Sequence, residues 1–317
     1  MIEVRRLSKS YGPIEAVREI SFSATAGDIL GFLGLNGAGK TTTMRILTGY
    51  MPPTRGEAVV AGHDVVRESQ EVRRRIGYLP ERVPLYYDMT VRGFLNFMHE
   101  LKQYPRAKRK ADVDRALELC GLTHVQGRLT GNLSRGYQQR TGLAQAVLGD
   151  PKVIVLDEPT VGLDPAQVVE IRKMIRGLAQ DRTVILSTHI LPEVSMICNK
   201  VVIINQGRIA LEARMDELEA ANPAARLTLT VQGPRNGLER IINDTPGVHG
   251  VELELAASRE NCWTLHVDTR KDTDARGDIA QRLVNGGWKL LELRGAGAML
   301  EERFLAATDN SRKEGAA

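Results

Sequence analysis

The stretch that most constrains this chain is Gly34-Leu-Asn-Gly-Ala-Gly-Lys-Thr-Thr42. It fits the pattern G-x-x-x-x-G-K-[ST], with Gly34, Gly39, Lys40 and Thr41 at the fixed positions. Glycines let the backbone curl, so that successive N–H groups converge on phosphate oxygens. Lys40 adds a positive charge near the terminal phosphates, and the Thr41 hydroxyl suits a bound Mg²⁺. The flanks agree: residues 28–33 form an apolar run that ends at the loop, and residues 42–47 have the texture of a helix start. A glycine-rich turn that binds nothing would leave this strand–loop–helix context unexplained. The pattern predicts a nucleotide-binding loop.

Length and composition bound what surrounds it. At 317 residues the chain has room for one large domain and a smaller one. Its 43 basic and 39 acidic residues leave a formal charge of +4, far short of what would demand a nucleic-acid partner. Cys120, Cys198 and Cys262 are scattered and lack C-x-x-C spacing, which argues against a disulfide framework or a zinc site and fits a reducing compartment. The N-terminus carries no apolar signal core, and no run approaches the ~18 apolar residues of a membrane span. Any membrane role therefore requires another subunit to carry the spans.

Along the chain, Ile2-Glu-Val begins a strand, residues 16–24 form a second, and residues 55–62 read as a short edge strand closed by Gly62. Residues 71–75 are charged and helical in texture. Thr90 caps a helix over 90–101, where apolar residues recur at three and four. Residues 102–115 carry six basic side chains, read either as a solvated face or as a surface turned toward anionic headgroups or a membrane subunit. Residues 151–158 read as a short apolar strand ending in two carboxylates, and residues 183–189 as another strand of the same kind, both suited to burial in a parallel sheet. Residues 201–210 read as a hairpin turning at Gln206-Gly207. Strands alternating with helices place residues 1–220 in the α/β class. The texture changes near residue 221. Residues 226–308 then predict the order β-α-β-β-α-β, a small α+β, ferredoxin-like accessory domain with a closing helix over 299–307, followed by a flexible tail at 309–317. His249 and His266 fall in strand patterns as structural or surface residues, and Trp263 and Trp288 read as small-core packing.

Phosphoryl transfer to water needs a phosphate cradle, a metal, a positioned water and a group that senses the γ-phosphate. Asp157, at the end of an apolar strand, can reach a Mg²⁺ held beside Thr41. Glu158 follows, where a carboxylate can polarise the attacking water, and His189, also at a strand end, can contact that water and the γ-phosphate. Without the phosphate loop, Asp157-Glu158 would read as a turn signal before Pro159. Leu133-Ser-Arg-Gly-Tyr-Gln-Gln-Arg140 opens an apolar helix, and Ser134 with Gly136 at its N-terminus offers an anion site through free N–H groups and the helix dipole.

With these pieces in order, the chain resembles the ATP-binding subunits of ABC transporters over residues 1 to about 215. Leu133-Ser134-Arg135-Gly136-Tyr137 matches the family's LSGGQ signature in outline. Residues 153–158 match the Walker B strand with its catalytic glutamate, Val161-Gly-Leu-Asp164 the D-loop, and His189 the switch histidine. The resemblance implies a P-loop ABC ATPase domain with an antiparallel β subdomain and a helical subdomain. In it ATP is held by Gly34, Leu35, Asn36, Gly37, Ala38, Gly39, Lys40, Thr41 and Thr42. Tyr11 would stack on adenine, Mg²⁺ would lie near Thr41, Asp157 and Glu81, and catalysis would fall to Glu158, His189 and Lys40. It further implies a head-to-tail dimer, in which Ser134 and Gly136 of one nucleotide subunit complete the site of another, and it places Asp164 among the nucleotide-binding residues.

Two positions depart from the family pattern. Glu81 stands where a glutamine is usual, in the loop that couples the site to the membrane subunit, and Tyr137 replaces the last signature residue. Gly77-Tyr-Leu-Pro-Glu81 resembles a subgroup of ABC-2-type exporters that includes the gliding-motility ATPases. The resemblance then implies a cytoplasmic ATPase, peripheral on the membrane through a separate ABC-2-type permease, and no nucleic-acid partner. The competing reading is a soluble ABC ATPase acting on ribosomes or nucleic acid. A single nucleotide domain and the absence of sustained heptads weigh against it. The C-terminal domain reads either as regulatory or as a buttress for the dimer.

Overall fold

The structure is a computed structural model that describes residues 1–221, 224–255, 261–270 and 274–294, together with Phe304. The expected closing helix at 299–307 (Phe304 apart) and the tail at 309–317 lie outside the described residues. The described chain divides into two units, the first ending at Arg214 and the second beginning at Met215. That boundary lies a few residues ahead of the one the sequence predicts, because the helix Met215–Ala221 groups with the second unit.

The first unit opens with β1 (Ile2–Tyr11) and β2 (Ile14–Ala24), an antiparallel pair, followed by β3 (Ile29–Leu33) and α1 (Lys40–Leu47). Next come β4 (Arg55–Val60), β5 (His63–Asp64), α2 (Ser69–Arg75) and β6 (Ile76–Leu79). A helical section holds α3 (Val91–Leu101), α4 (Arg109–Leu119) and α5 (Arg135–Ala146). The chain returns through β7 (Val153–Asp157), α6 (Pro165–Leu178), β8 (Thr183–Thr188) and α7 (Leu191–Ile197), and closes with β9 (Lys200–Asn205) and β10 (Arg208–Arg214).

Two sheets result. One is antiparallel, in the order β2-β1-β4-β5; the other has six strands in the order β10-β9-β3-β8-β7-β6, parallel except where β10 pairs with β9. Every residue of β3, β7 and β8 is buried, as strands covered on both faces must be. Their apolar side chains share one core with α1 and the antiparallel sheet, where the Phe22 and Phe32 rings lie 5.4 Å apart. The β9–β10 turn falls at Gln206-Gly207, with both residues at positive φ, the geometry a two-residue hairpin requires.

The helical section is anchored locally. Thr90 caps α3 by accepting from the Gly93 N–H at 3.1 Å. Helix α5 lies so close to β6 that a Cβ on Gly77 would sit 1.8 Å from the Ala146 carbonyl oxygen. The basic run around α4 is divided in its roles. Lys102 donates to the Ile76 carbonyl at 2.7 Å, Arg109 and Arg115 pair with Glu100 and Asp112, and Arg106, Lys108 and Lys110 are exposed.

The second unit contains α8 (Met215–Ala221), β11 (Ala224–Gln232), α9 (Leu238–Asn243), β12 (Val248–Leu255), β13 (Cys262–Arg270), α10 (Arg276–Asn285) and β14 (Lys289–Arg294). After α8 the order is β-α-β-β-α-β, and the strands form an antiparallel sheet in the order β12-β13-β11-β14. Leu229, Val231, Leu265 and Val267 from the strands meet Leu238, Ile242, Ile279 and Leu283 from the helices. Trp263 and Trp288 pack against this core, each donating its indole N–H to a backbone carbonyl, those of Gly233 and Pro234. His266 lies beside Thr228 and His249 beside Arg270.

Candidate functional site

In a parallel sheet, ligands collect at the carboxyl ends of the strands, where the order of connection reverses. Strand β3 sits between β9 and β8 and runs directly into the glycine loop. Gly37 and Gly39 adopt φ of 81° and 110°, which turns the backbone so that α1 begins at Lys40. Gly34 is required for a different reason: a Cβ there would meet the Ile204 carbonyl oxygen at 2.5 Å. Lys40 is buried, and its ammonium bridges the loop by donating to the carbonyls of Gly34 at 2.8 Å and Leu35 at 3.3 Å. Its third near neighbour is Glu158 Oε1, at 3.4 Å. A buried ammonium in a glycine loop that opens a helix is suited to phosphate.

The acidic half of the site comes from the adjacent strand ends. Asp157 closes β7 with 1% of its surface exposed, and Ser187 of β8 donates its hydroxyl to it. Burial and the neighbouring Glu158 charge push the Asp157 carboxyl above its ordinary range, while the Ser187 and Thr41 hydroxyls act in the opposite sense. Thr41, at the start of α1, and Asp157, at the end of β7, supply a hydroxyl and a carboxylate. They are hard oxygen donors of the kind Mg²⁺ takes, so the donor set fits that ion. Glu158 has a left-handed backbone, φ 49°, unusual for a residue with a side chain, and the Ser187 carbonyl receives its N–H at 3.2 Å. His189 Nδ1 lies 3.0 and 2.9 Å from the two Glu158 oxygens.

Asn36, Gly37, Gly39, Lys40, Thr41, Thr42, Glu81, Glu158 and His189 line a cleft of about 310 Å³, while Asp157 and Ser187 are buried outside its lining. Glu81 reaches it from the loop after β6, so three strand ends and the phosphate loop converge there. The arrangement can hold a polyphosphate, neutralise part of its charge and present a carboxylate beside a histidine to a water molecule.

Other residues singled out from sequence lie elsewhere. Tyr11, 43% exposed at the end of β1, donates its hydroxyl to the Met51 sulfur and lies under the Lys9 ammonium, outside the lining of the cleft. Ser134 is the exposed N-cap of α5 and its side chain makes no capping bond. Gly136 is buried against Gln167, where a Cβ would come within 2.5 Å of the amide carbon. Asp164 caps α6 by accepting from the Gln167 N–H at 2.9 Å. Gly136 and Asp164 thus both meet Gln167, with Ser134 two residues before Gly136 in the chain. Sequence reasoning missed Ser187, whose hydroxyl sits inside an apolar strand pattern, and Gln139, which donates to the Pro159 carbonyl at 2.8 Å next to Glu158.

Comparison with known proteins agrees with this chemistry. The family profile described as ABC transporter matches residues 17–161. The chain is 39% identical over 224 residues to the bacitracin transport ATP-binding protein of Bacillus licheniformis, covering 70% of this chain and 72% of that protein. It is 30% identical over 329 residues to an uncharacterized ABC transporter ATP-binding protein of Bacillus subtilis (strain 168), covering 99% of this chain and 98% of the relative. Among solved structures it is similar to an ATP binding subunit of an ABC transporter, with a TM-score of 0.63 and 27% identity over 70% of this chain and 92% of that one. A comparable likeness, TM-score 0.62 and 28% identity, links it to cbiO1 from Clostridium perfringens, part of the ABC transporter complex cbiONQ, over 69% of this chain and 90% of that one.

Proposed function

The chain belongs to the ATP-binding proteins of ABC transporters and is an ATPase of that family, and on this premise we propose that it powers export through a separate ABC-2-type permease on the cytoplasmic face of a membrane. The observation that carries the reading is the convergence of Lys40, Thr41, Glu158 and His189 on one cleft, with Asp157 buried next to Glu158 in the chain. Glu158 polarises the attacking water, His189 holds the Glu158 carboxylate and faces the γ-phosphate, and Lys40 neutralises the β- and γ-phosphates. Mg²⁺, held by Thr41 and Asp157 with Glu81 beside them, would offset charge on the terminal phosphates.

Ser134, Gly136 and Asp164 stand outside the cleft of their own chain, which supports a second nucleotide subunit, in head-to-tail contact, as the site's other half. Closure then depends on ATP, because only ATP presents the γ-phosphate to both halves, and hydrolysis releases it. Among the described residues no helix is long and apolar enough to cross a membrane, so the spans belong to a partner. A groove of about 950 Å³ beside the Glu81 loop, bordered by Pro80, Pro84, Arg45, Arg74, Met98 and Lys102, supports that docking, since a segment seated there would touch the loop that carries Glu81. The name of the bacitracin transport relative supports a role in transport. The order β-α-β-β-α-β from β11 to β14 supports a ferredoxin-like accessory domain.

The test is a pull-down of Glu158→Gln from detergent-solubilised membranes of the host, with ATP and Mg²⁺. Co-purification of a polytopic subunit is the expected result. Recovery of ribosomes, nucleic acid or only soluble partners would overturn the proposal.

A further inference from the structure

Glu193 carries a carboxylate that the chemistry above leaves without a task. It lies in the first turn of α7 with 1% of its surface exposed, and burial of an ionised carboxylate is unfavourable unless its oxygens are hydrogen-bonded. Both oxygens are. Thr160, two residues beyond Glu158, donates its hydroxyl to Oε1. Thr188, the residue before His189, donates its hydroxyl to Oε2 at 2.7 Å and accepts the Ile190 N–H at 3.0 Å. Thr160 and Thr188 are themselves buried. The Arg172 guanidinium of α6 approaches Oε1 to 3.9 Å, so the helix that follows the Asp164 turn contacts the same carboxylate. A first-turn acid that merely complements a helix dipole needs neither hydroxyl.

We propose that Glu193 is a positioning residue for hydrolysis, clamping the segment that follows Glu158 to the segment that leads into His189. The clamp sets the Glu158–His189 contact, whose two distances of 3.0 and 2.9 Å leave little room for a shift of either strand end. Small displacements of reacting groups lower turnover without weakening binding. The proposal rests on the roles given above to Glu158 and His189.

The experiment compares purified full-length Glu193→Ala, Glu193→Gln, Thr188→Val and Glu158→Gln with the parent chain, measuring kcat, KM for ATP, and Kd for ATP. Glu193→Ala is expected to lower kcat about tenfold or more, with KM and Kd changed less than about twofold. Glu193→Gln should recover part of the loss, because its amide oxygen still accepts one hydroxyl. Thr188→Val, nearly isosteric, should reproduce much of the loss and serves if Glu193→Ala does not fold. In a His189→Ala background, Glu193→Ala should add less than about a twofold further loss, because the group it positions is gone. Parental kcat in Glu193→Ala or Thr188→Val, with Glu158→Gln inactive, overturns the clamp alone. An equal fold-loss in both backgrounds also overturns it. Parental hydrolysis in Glu158→Gln overturns the role of Glu158, and the clamp with it.

Discussion

His189 Nδ1 and the Glu158 carboxylate meet at 3.0 and 2.9 Å, although 31 residues separate them in the chain. The carboxylate is buried while the histidine is 41% exposed at its side chain, so the pair joins an enclosed base to the open mouth of the cleft. If the two act as a unit, their removal is not additive. Glu158→Gln and His189→Ala are each expected to lower kcat by roughly 10²–10⁴-fold, and the double variant should fall little further. Steady-state ATPase assays on the three chains check this, and a full multiplication of the two losses would show independent roles.

Much of this site was legible because its signals are local. The glycine loop and the Asp157-Glu158 pair are contiguous, and each ends a run of apolar residues that announces a buried strand. What stayed hidden depends on contacts far apart in sequence. Thr160 and Glu193 are 33 residues apart, and Ser187 reaches Asp157 across 30. A hydroxyl inside an apolar strand gives no periodic signal of its partner. Gly77 is similar: its need for no side chain comes from the Ala146 carbonyl, on a helix some seventy positions later. The order of the parallel strands likewise follows from pairing, which periodicity does not encode. The start of β2 at Ile14, two residues ahead of its sequence-predicted edge, reflects the short turn that pairs Tyr11 with Ile14.

Lys40 has two separable tasks. Its ammonium holds the loop carbonyls of Gly34 and Leu35, and it lies 3.4 Å from the buried Glu158. Replacing a charged hydrogen-bond donor to phosphate loses about 2–3 kcal/mol of binding, roughly 30- to 150-fold in Kd. Lys40→Met should therefore weaken ATP binding by that factor. Leaving the Glu158 carboxylate with His189 as its remaining close partner should also lower stability by about 1–3 kcal/mol. Calorimetric titration and urea unfolding separate the two effects. Weakened binding with parental stability would mean that Lys40 serves the phosphate alone.

Gly77 tests how α5 is held on the central sheet. Its Cβ would lie 1.8 Å from a backbone oxygen, and a backbone atom cannot swing aside as a side-chain tip can. Gly77→Ala must therefore push α5 off β6, an overpacking that typically costs about 1–3 kcal/mol and here belongs at the upper end. Since α5 starts at Ser134 and β6 leads to Glu81, the same shift should disturb both ends of the site. Thermal unfolding measures the first effect and ATPase activity the second. A parental melting temperature would show that the helix and strand part easily.

Lys102 provides a pH-dependent test of packing on the groove side of the same sheet. Its ammonium donates to the Ile76 carbonyl and sits over the Tyr104 ring at 5.8 Å, and burial pulls its pKa down from 10.5 to about 8. The sign follows from proton counting. Below pH 8 both folded and unfolded chains carry the charge, and the folded state bears the full penalty of burying it. Between pH 8 and 10.5 the unfolded chain holds more protons than the folded one, so this residue's contribution to stability rises with pH. Lys102→Met removes that titration along with the hydrogen bond to Ile76. The melting temperature of the variant minus that of the parent should therefore become more negative as pH climbs from 7.5 to 10, because only the parent gains. A difference that stays constant over this range would mean that the ammonium is as well solvated in the folded chain as in the unfolded one.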